Sequence, residues 1–510
     1  MRPDRAHDAT ARYKHGRAEP TPSGGLVIRA ARCRTQPGAT GPAGSTPMVK
    51  GTTLGRPGWT DHPGPSEAPV SLLDELVATW PPAEDPPDSG YVRTSLAAAT
   101  PLVATALRPH GERGLAVVVA RDPTGRLMLA PLVREGSGWR RARPRDGASA
   151  ALVEALASGQ SLDRGFHLRQ LGPVGHLRGE RAIGVDQTNE SIVVGSVVVV
   201  KWLAEPALRP AGAPDLQAHL VAVGYRGVPR PLGSLVWTAG PDEQATLAFL
   251  TEWLPDARDG WDWCVQDLLA HLEHGTAGCH PACDALTFPV ELGRATAGLH
   301  AALATPSPEI PDPVGQTDRV EIRSWMVDAL HALDTALTIV PAGAARELRD
   351  REAALREQIG GLGAISSTAV QYIHGDLHVG QVLSSPRGLA IIDLDDDISV
   401  EPGMRGRPLP VDRDVAQMTC SLDHVGRLAD RRTGDTQHEA IERWIGDAQA
   451  DYLAAYRDAI AASGTGVTLD PRLLVPFIAE RICREIVYAA RVLPRWLDAP
   501  MGTLRRVVPT

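Results

Sequence analysis

The 510-residue sequence is poor in the features that announce a membrane, nucleic-acid or disulfide-stapled protein. No apolar run approaches the ~20 residues that cross a bilayer. The longest, Ser191–Leu203, is β-branched and interrupted by Gly195, which suits two buried strands. Positive charge is not in excess: a net charge of −9 excludes an overall basic, nucleic-acid-binding character. The six cysteines are too scattered for a disulfide framework. Cys279 and Cys283 have the spacing of half a zinc site, but a structural site needs four ligands and no second pair follows; His271 and His274 fall on a predicted helix. The N-terminus is Arg-rich without the apolar core of a signal peptide. A cytoplasmic monomer with no nucleic-acid or membrane partner is expected.

Lysine is the scarcest charged residue. Only Lys14, Lys50 and Lys201 occur, against abundant arginine, so generic positive charge is carried by Arg. A lysine kept in the folded body then marks a place where a compact ammonium cannot be replaced by a planar guanidinium, as at a phosphate. Lys201 is that residue, and it stands near the end of the β-run Val197–Leu203.

Residues 1–68 are rich in Gly, Pro, Thr and Arg without apolar periodicity, which predicts a disordered tail; Met48 is an alternative start. Residues 69–160 read as a small α+β cap, with a helix at Leu72–Trp80 and a hairpin turning at Asp122–Gly125. Residues 161–255 are β-rich: a hairpin ending near Lys201, a helix over Asp215–Val223, and a strand over Thr246–Leu254. Residues 256–510 are mostly helical, with three- and four-residue apolar spacing over Phe288–Ala304, Glu321–Val340, Ala345–Ile359, Asp412–Ala429, Thr436–Ser463 and Arg472–Val492. No internal repeat is evident.

One β-rich segment interrupts the helices: Gln371-Tyr-Ile-His-Gly-Asp-Leu-His-Val-Gly-Gln381, two short strands around Ser384–Gly388, then Ile391-Ile-Asp-Leu-Asp395. Asp376, Gln381 and Asp393 follow the order in which a kinase places its base and two metal ligands. Asp376 would orient the attacking hydroxyl, Gln381 and Asp393 would hold Mg²⁺ with Asp395 assisting, and Lys201 would hold the phosphates of ATP. A turn aspartate bonding its own backbone is the competing reading of Asp376, and His374 reads as a loop-holding residue. Two departures stand out. Gln217 occupies the helix position where a glutamate partner for the lysine is expected, leaving Asp215 or Glu190 as substitutes. The turn Asp186–Glu190 is polar and not glycine-rich.

With these residues in place, the chain resembles the aminoglycoside-phosphotransferase type of small-molecule kinase. From about residue 71 onward it resembles more closely the actinobacterial maltokinases and their glucosamine kinase relatives. The resemblance rests on Gly184–Val194, Val200-Lys201, Asp259-Gly-Trp261, His374–Gln381 and the cap module. It implies an α+β, bilobal, kinase-like fold with an N-terminal cap subdomain and a helical C-lobe. It also implies ATP, Mg²⁺ and a sugar hydroxyl as acceptor, adenine at the hinge Glu252, Trp253 and Leu254, and Asp259 near the ribose. Maltokinases continue Asp-Phe-Glu-Gly-Glu-Pro after the metal strand, where this chain has Asp393-Leu-Asp-Asp-Asp397; Glu480–Trp496 is similar to the segment that marks the glucosamine kinases.

An amino sugar carries an ammonium, which carboxylates would favour over a neutral hexose. The expected substrate set is Asp376, His378, Asp397, Glu480, Arg484, Glu485 and Trp496, with Trp496 freed by Pro494 to pack on a pyranose ring. The competing reading makes Glu480, Arg484 and Glu485 a surface ion-pair network of little energetic weight. The expected activity is ATP-dependent phosphorylation of glucosamine at its 6-hydroxyl. A maltokinase is the runner-up, followed by an aminoglycoside kinase and an inactive kinase-like binding protein.

Overall fold

The computed structural model describes residues 71–82, 95–108, 114–183, 189–210, 213–276, 286–394, 406–434 and 436–509. The predicted tail, Cys279 and Cys283, most of the polar turn at 186–190, and both Asp395 and Asp397 lie outside them.

Ser71 opens α1 (Leu72–Ala78) with a capping box closed by Asp74. An antiparallel meander follows: β1 (Thr100–Arg108), β2 (Leu115–Arg121), β3 (Leu127–Glu135) and β4 (Gly138–Arg141). Asp122 holds the β2–β3 turn, its carboxylate accepting the amides of Thr124 and Arg126 at 2.9 Å each. Strand β2 is an unbroken apolar run because both faces are covered. Ala116, Val118 and Ala120 meet α1, whereas Val117 and Val119 meet α2 (Ala148–Ala157).

The second sheet comprises β5 (Phe166–Gln170), β6 (Glu180–Ala182), β7 (Glu190–Val194), β8 (Val198–Trp202), β9 (Arg209–Pro210), β10 (Pro231–Gly240) and β11 (Glu243–Glu252), with α3 (Leu216–Ala222) between β9 and β10. Its path is β5-β10-β11-β8-β7-β6, with β9 paired to β11. Gly195 and Ser196, with φ of +58° and +54°, form the two-residue turn between β7 and β8, the left-handed pair that matches strand twist. Alternation along β8 buries Val198, Val200 and Trp202 in the core shared with α2 and turns Lys201 to the opposite face.

The remaining chain is helical around a large apolar core: α4 (Gly260–Thr276), α5 (Phe288–Leu303), β12 (Val314–Gln316), α6 (Arg319–Ile339), α7 (Ala342–Asp350), α8 (Glu352–Gly360), β13 (Ala369–Gln371), β14 (Val382–Ser385), β15 (Gly388–Ile391), α9 (Asp412–Arg432), α10 (His438–Ala462), α11 (Pro471–Arg491) and α12 (Asp498–Val507). The fold is α+β. The helix expected over Ala345–Ile359 is two helices broken at Arg351, whose guanidinium turns to the carbonyls of Val508 (2.8 Å) and Glu347 (3.2 Å). Helix α9 is buried along most of its length although it carries Asp412, Asp414, Gln417, Asp423 and His424. Such a helix needs partners for its polar groups, and most of them lie in the site below. No helix among the described residues is long and apolar enough to cross a membrane.

Candidate active site

The segment after β13 is a loop whose shape is set by Asp414. This fully buried carboxylate accepts the amides of His374 (2.8 Å) and Gly375 (2.9 Å) and meets His300 Nε2 at 3.0 Å. His300 is held in turn by the Tyr456 hydroxyl at 2.8 Å. Charge-assisted bonds of this kind contribute about 1.5–3 kcal/mol each, so the loop is rigid where it carries its acid. The His374 ring closes the next link. Its Nδ1 accepts the amide of Asp376 at 3.2 Å, so Nε2 carries the proton and donates to the Ile392 carbonyl at 2.7 Å. Ile392 also donates its amide to the Gln381 carbonyl at 2.9 Å. One residue therefore binds the Asp376 loop and the Gln381 turn to the strand end that presents Asp393.

Asp376 itself is gripped by α9 and α11. Gln417 donates from Nε2 to Oδ1, Arg481 lies 3.5 Å from the same oxygen, and His378 Nε2 lies 3.8 Å from Oδ2. Burial raises the Asp376 pKa, but the charges of His378 and Arg481, the Gln417 bond and His374 outweigh it and hold the carboxyl below its ordinary value. Burial lowers the His378 pKa, against the opposing pull of Asp376.

An acid and aromatic wall extends from Asp376. Arg481 bonds Glu485 at 2.7 Å, Glu485 faces His424 at 3.2 Å, and His424 stands edge-on to Trp496 with centroids 5.5 Å apart. Trp496 is edge-on to Trp261 at 5.3 Å, and Trp261 stacks on His378 at 5.9 Å. Trp496 is thus not left free after the helix; it sits in a 3₁₀ turn, Pro494–Trp496, with two ring neighbours. Gly380 is required here, since a Cβ would lie 2.5 Å from Trp261 Nε1 and 2.8 Å from the His378 ring. Gly260 is equally constrained: a Cβ would lie 1.6 Å from the Val379 carbonyl, so α4 starts hard against the Asp376 loop.

Glu480 and Arg484, expected as substrate residues, do not form the surface network of the competing reading. Glu480 is buried between Arg413 (3.0 Å) and Arg484 (2.9 Å). Burial raises its pKa, but the two arginines outweigh that and hold it ionised below its usual range.

On the sheet side, Lys201 Nζ lies 2.9 Å from Asp393 Oδ1. Asp393 has φ +62°, a left-handed backbone that costs a non-glycine residue about 1–3 kcal/mol and marks functional turns. Asp215 does not serve the lysine; it caps α3 by accepting the Gln217 and Ala218 amides and bonds Arg169 at 3.0 Å. At the end of β11 the amides of Glu252 and Trp253 are committed to the carbonyls of Arg230 (2.9 Å) and Val197 (2.7 Å). The Glu252 carboxylate accepts the Arg230 amide at 3.0 Å and pairs with Arg387 at 3.1 Å. Leu254 is buried, and its amide has no partner among the described residues. Asp259 starts α4, accepting the Trp261 amide at 2.9 Å. Burial raises its pKa against that bond.

The oxygen donors present fit a magnesium ion. Mg²⁺ takes one or two protein carboxylates with phosphates and water, and the Ile392 link holds the Gln381 turn beside the strand end that offers Asp393. No cluster of three metal-ligating acids, histidines or cysteines occurs among the described residues.

The sequence reading did not single out Asp414, Gln417, Ser421, His424 or Arg481, nor Trp261 as a wall residue. The signal available was the three- and four-residue spacing of polar groups Asp414, Gln417, Ser421 and His424 along one helix.

No family model matches the chain. It is 37% identical over 442 residues to a glucosamine kinase of Streptacidiphilus jiangxiensis, covering 85% of this chain and 98% of that protein. It is 34% identical over 393 residues to a glucosamine kinase of Mycolicibacterium smegmatis, covering 77% and 95%. Among solved structures it matches a glucosamine kinase in complex with glucosamine, ADP and inorganic phosphate, with TM-score 0.68, 32% identity, and 86% and 99% of the two chains covered.

Proposed function

We propose that this chain, which belongs to the glucosamine kinase family, transfers the γ-phosphoryl group of ATP to the 6-hydroxyl of glucosamine on a two-lobed, kinase-like scaffold. The observation that carries this reading is the Ile392 link, which joins the Asp376 loop to the Gln381 turn and Asp393 as one rigid unit. Its relatives carry the glucosamine kinase name, and the maltokinase alternative gains no support from them.

The acceptor hydroxyl lies against Asp376, which orients it and takes its proton as the oxygen–phosphorus bond forms. The bond from the γ-phosphorus to the bridging oxygen breaks, and its electron pair leaves with ADP. A carboxylate held ionised suits an orienting role in a loose transition state, where the proton leaves late. Lys201 moves from Asp393 to the phosphates, freeing that carboxylate. Gln381 and Asp393, with Asp395, would hold Mg²⁺, which would supply neutralisation of phosphate charge. Leu254 offers its free amide to adenine, between the committed amides of Glu252 and Trp253 and the ribose-side Asp259.

Glu485 and Asp376 present negative charge to the sugar ammonium. Trp261, Trp496 and His378 present ring faces and edges to the pyranose. Glu480 and Arg484, on the neighbouring face of α11, pair with each other and with Arg413 and keep the helix in register, while Asp397 adds a carboxylate beyond the metal strand. The test is ADP release with glucosamine, glucose, maltose and an aminoglycoside as acceptors, followed by phosphorus–proton NMR of the product. Turnover of glucosamine with phosphate on carbon 6 is expected; turnover of maltose with none of glucosamine overturns the reading.

A further inference from the structure

Three residues on one face of α9 hold the catalytic loop. Asp414 and Ser421 bond its backbone, the latter accepting the Val379 amide at 3.0 Å. Gln417, between them at three- and four-residue spacing, reaches past the backbone to the side chain of Asp376. It is 4% exposed, and burying an amide there costs free energy unless its hydrogen bond has a use. The two oxygens of Asp376 are unequal as a result. Oδ1 takes Gln417 and, at 3.5 Å, Arg481. Oδ2 faces His378 Nε2 at 3.8 Å, beyond hydrogen-bond reach.

We infer that Gln417 is a positioning residue for Asp376: it occupies Oδ1 and leaves Oδ2 as the oxygen that meets the acceptor hydroxyl. This rests on the reading of Asp376 as the acceptor-orienting base. The donor comes from a helix already locked to the same loop one turn earlier, so the carboxylate plane is fixed before substrate arrives. The charged and titratable groups around Asp376 are Arg481 and Glu485 from α11, His374 and His378 from its own loop, and His424 of α9 behind Glu485. Removing Gln417 takes a donor from the ionised form, so the carboxyl protonates at higher pH.

The test is the pH profile of kcat for Gln417→Met, which keeps length without a donor, and for Gln417→Asn, which stays polar but is one methylene short. Both are expected to lower kcat about tenfold, the loss of roughly one charge-assisted bond. Both should also move the acid limb of the profile to higher pH, with KM for ATP unchanged. Wild-type kcat or an unmoved acid limb in both variants overturns the inference. Asp376→Asn, measured alongside, separates the two readings. If it is inactive while the Gln417 variants behave as wild type, the base stands and the positioning role fails. If it turns over at the wild-type rate, the base reading itself fails.

Discussion

The two walls that face Asp376 are built by different means. The side proposed for the nucleotide is a sheet face and a hairpin end, where Lys201 and Asp393 meet in a partly open pair, 15% and 35% exposed. The side proposed for the acceptor is two helices, where the buried Asp414, Gln417 and Glu485 form linked ion pairs and hydrogen bonds with Arg481 and the loop. Phosphate is one chemistry, and a movable point charge on a strand serves it. A sugar must be told from other sugars, which takes fixed groups in a dry surround, because a buried polar group left unpaired penalises the wrong ligand. On the proposed function, the open wall exchanges partners during turnover and the closed wall stays fixed.

That contrast is broken most severely from the nucleotide side. Lys201→Arg keeps the charge but replaces a compact ammonium with a planar fork. It is expected to lower kcat/KM for ATP about 100-fold, with KM for glucosamine nearly unchanged, in steady-state assays varying each substrate. An equal loss for both substrates erases the division of labour. On the acceptor side, Glu485→Gln removes the charge proposed to face the ammonium while keeping the shape. KM for glucosamine should rise about tenfold, on the scale of one charged hydrogen bond, and KM for ATP should hold. A larger rise in KM for ATP than for glucosamine would place Glu485 on the wrong wall.

The same contrast explains what was legible in the sequence. Asp376, Gln381 and Asp393 lie within one short segment, and the roles proposed for them follow from order and spacing. Lys201 was exposed by the scarcity of its own residue type, and the β7–β8 hairpin by its β-branched runs. The acceptor wall was only half visible. Glu480, Arg484 and Glu485 share a helix and were found together, but their burial was not, because helical spacing does not say which face meets α9. Gln417 reaches Asp376 across 41 positions of sequence, and Trp261 meets Trp496 from opposite ends of the helical region. Such contacts depend on how helices dock, which local pattern does not encode. The polar side chains of α9, which its helical spacing alone did not single out, are buried against the Asp376 loop.

Asp376 belongs to neither wall and is the point where both converge. Measuring the Asp376→Ala variant by acceptor-dependent ADP release together with calorimetric binding of ADP tests the account most directly. Loss of turnover by at least about 1,000-fold, on the scale of a general-base contribution with its orientation, with nucleotide affinity retained, is the predicted result. Unchanged ADP release in that variant would contradict it.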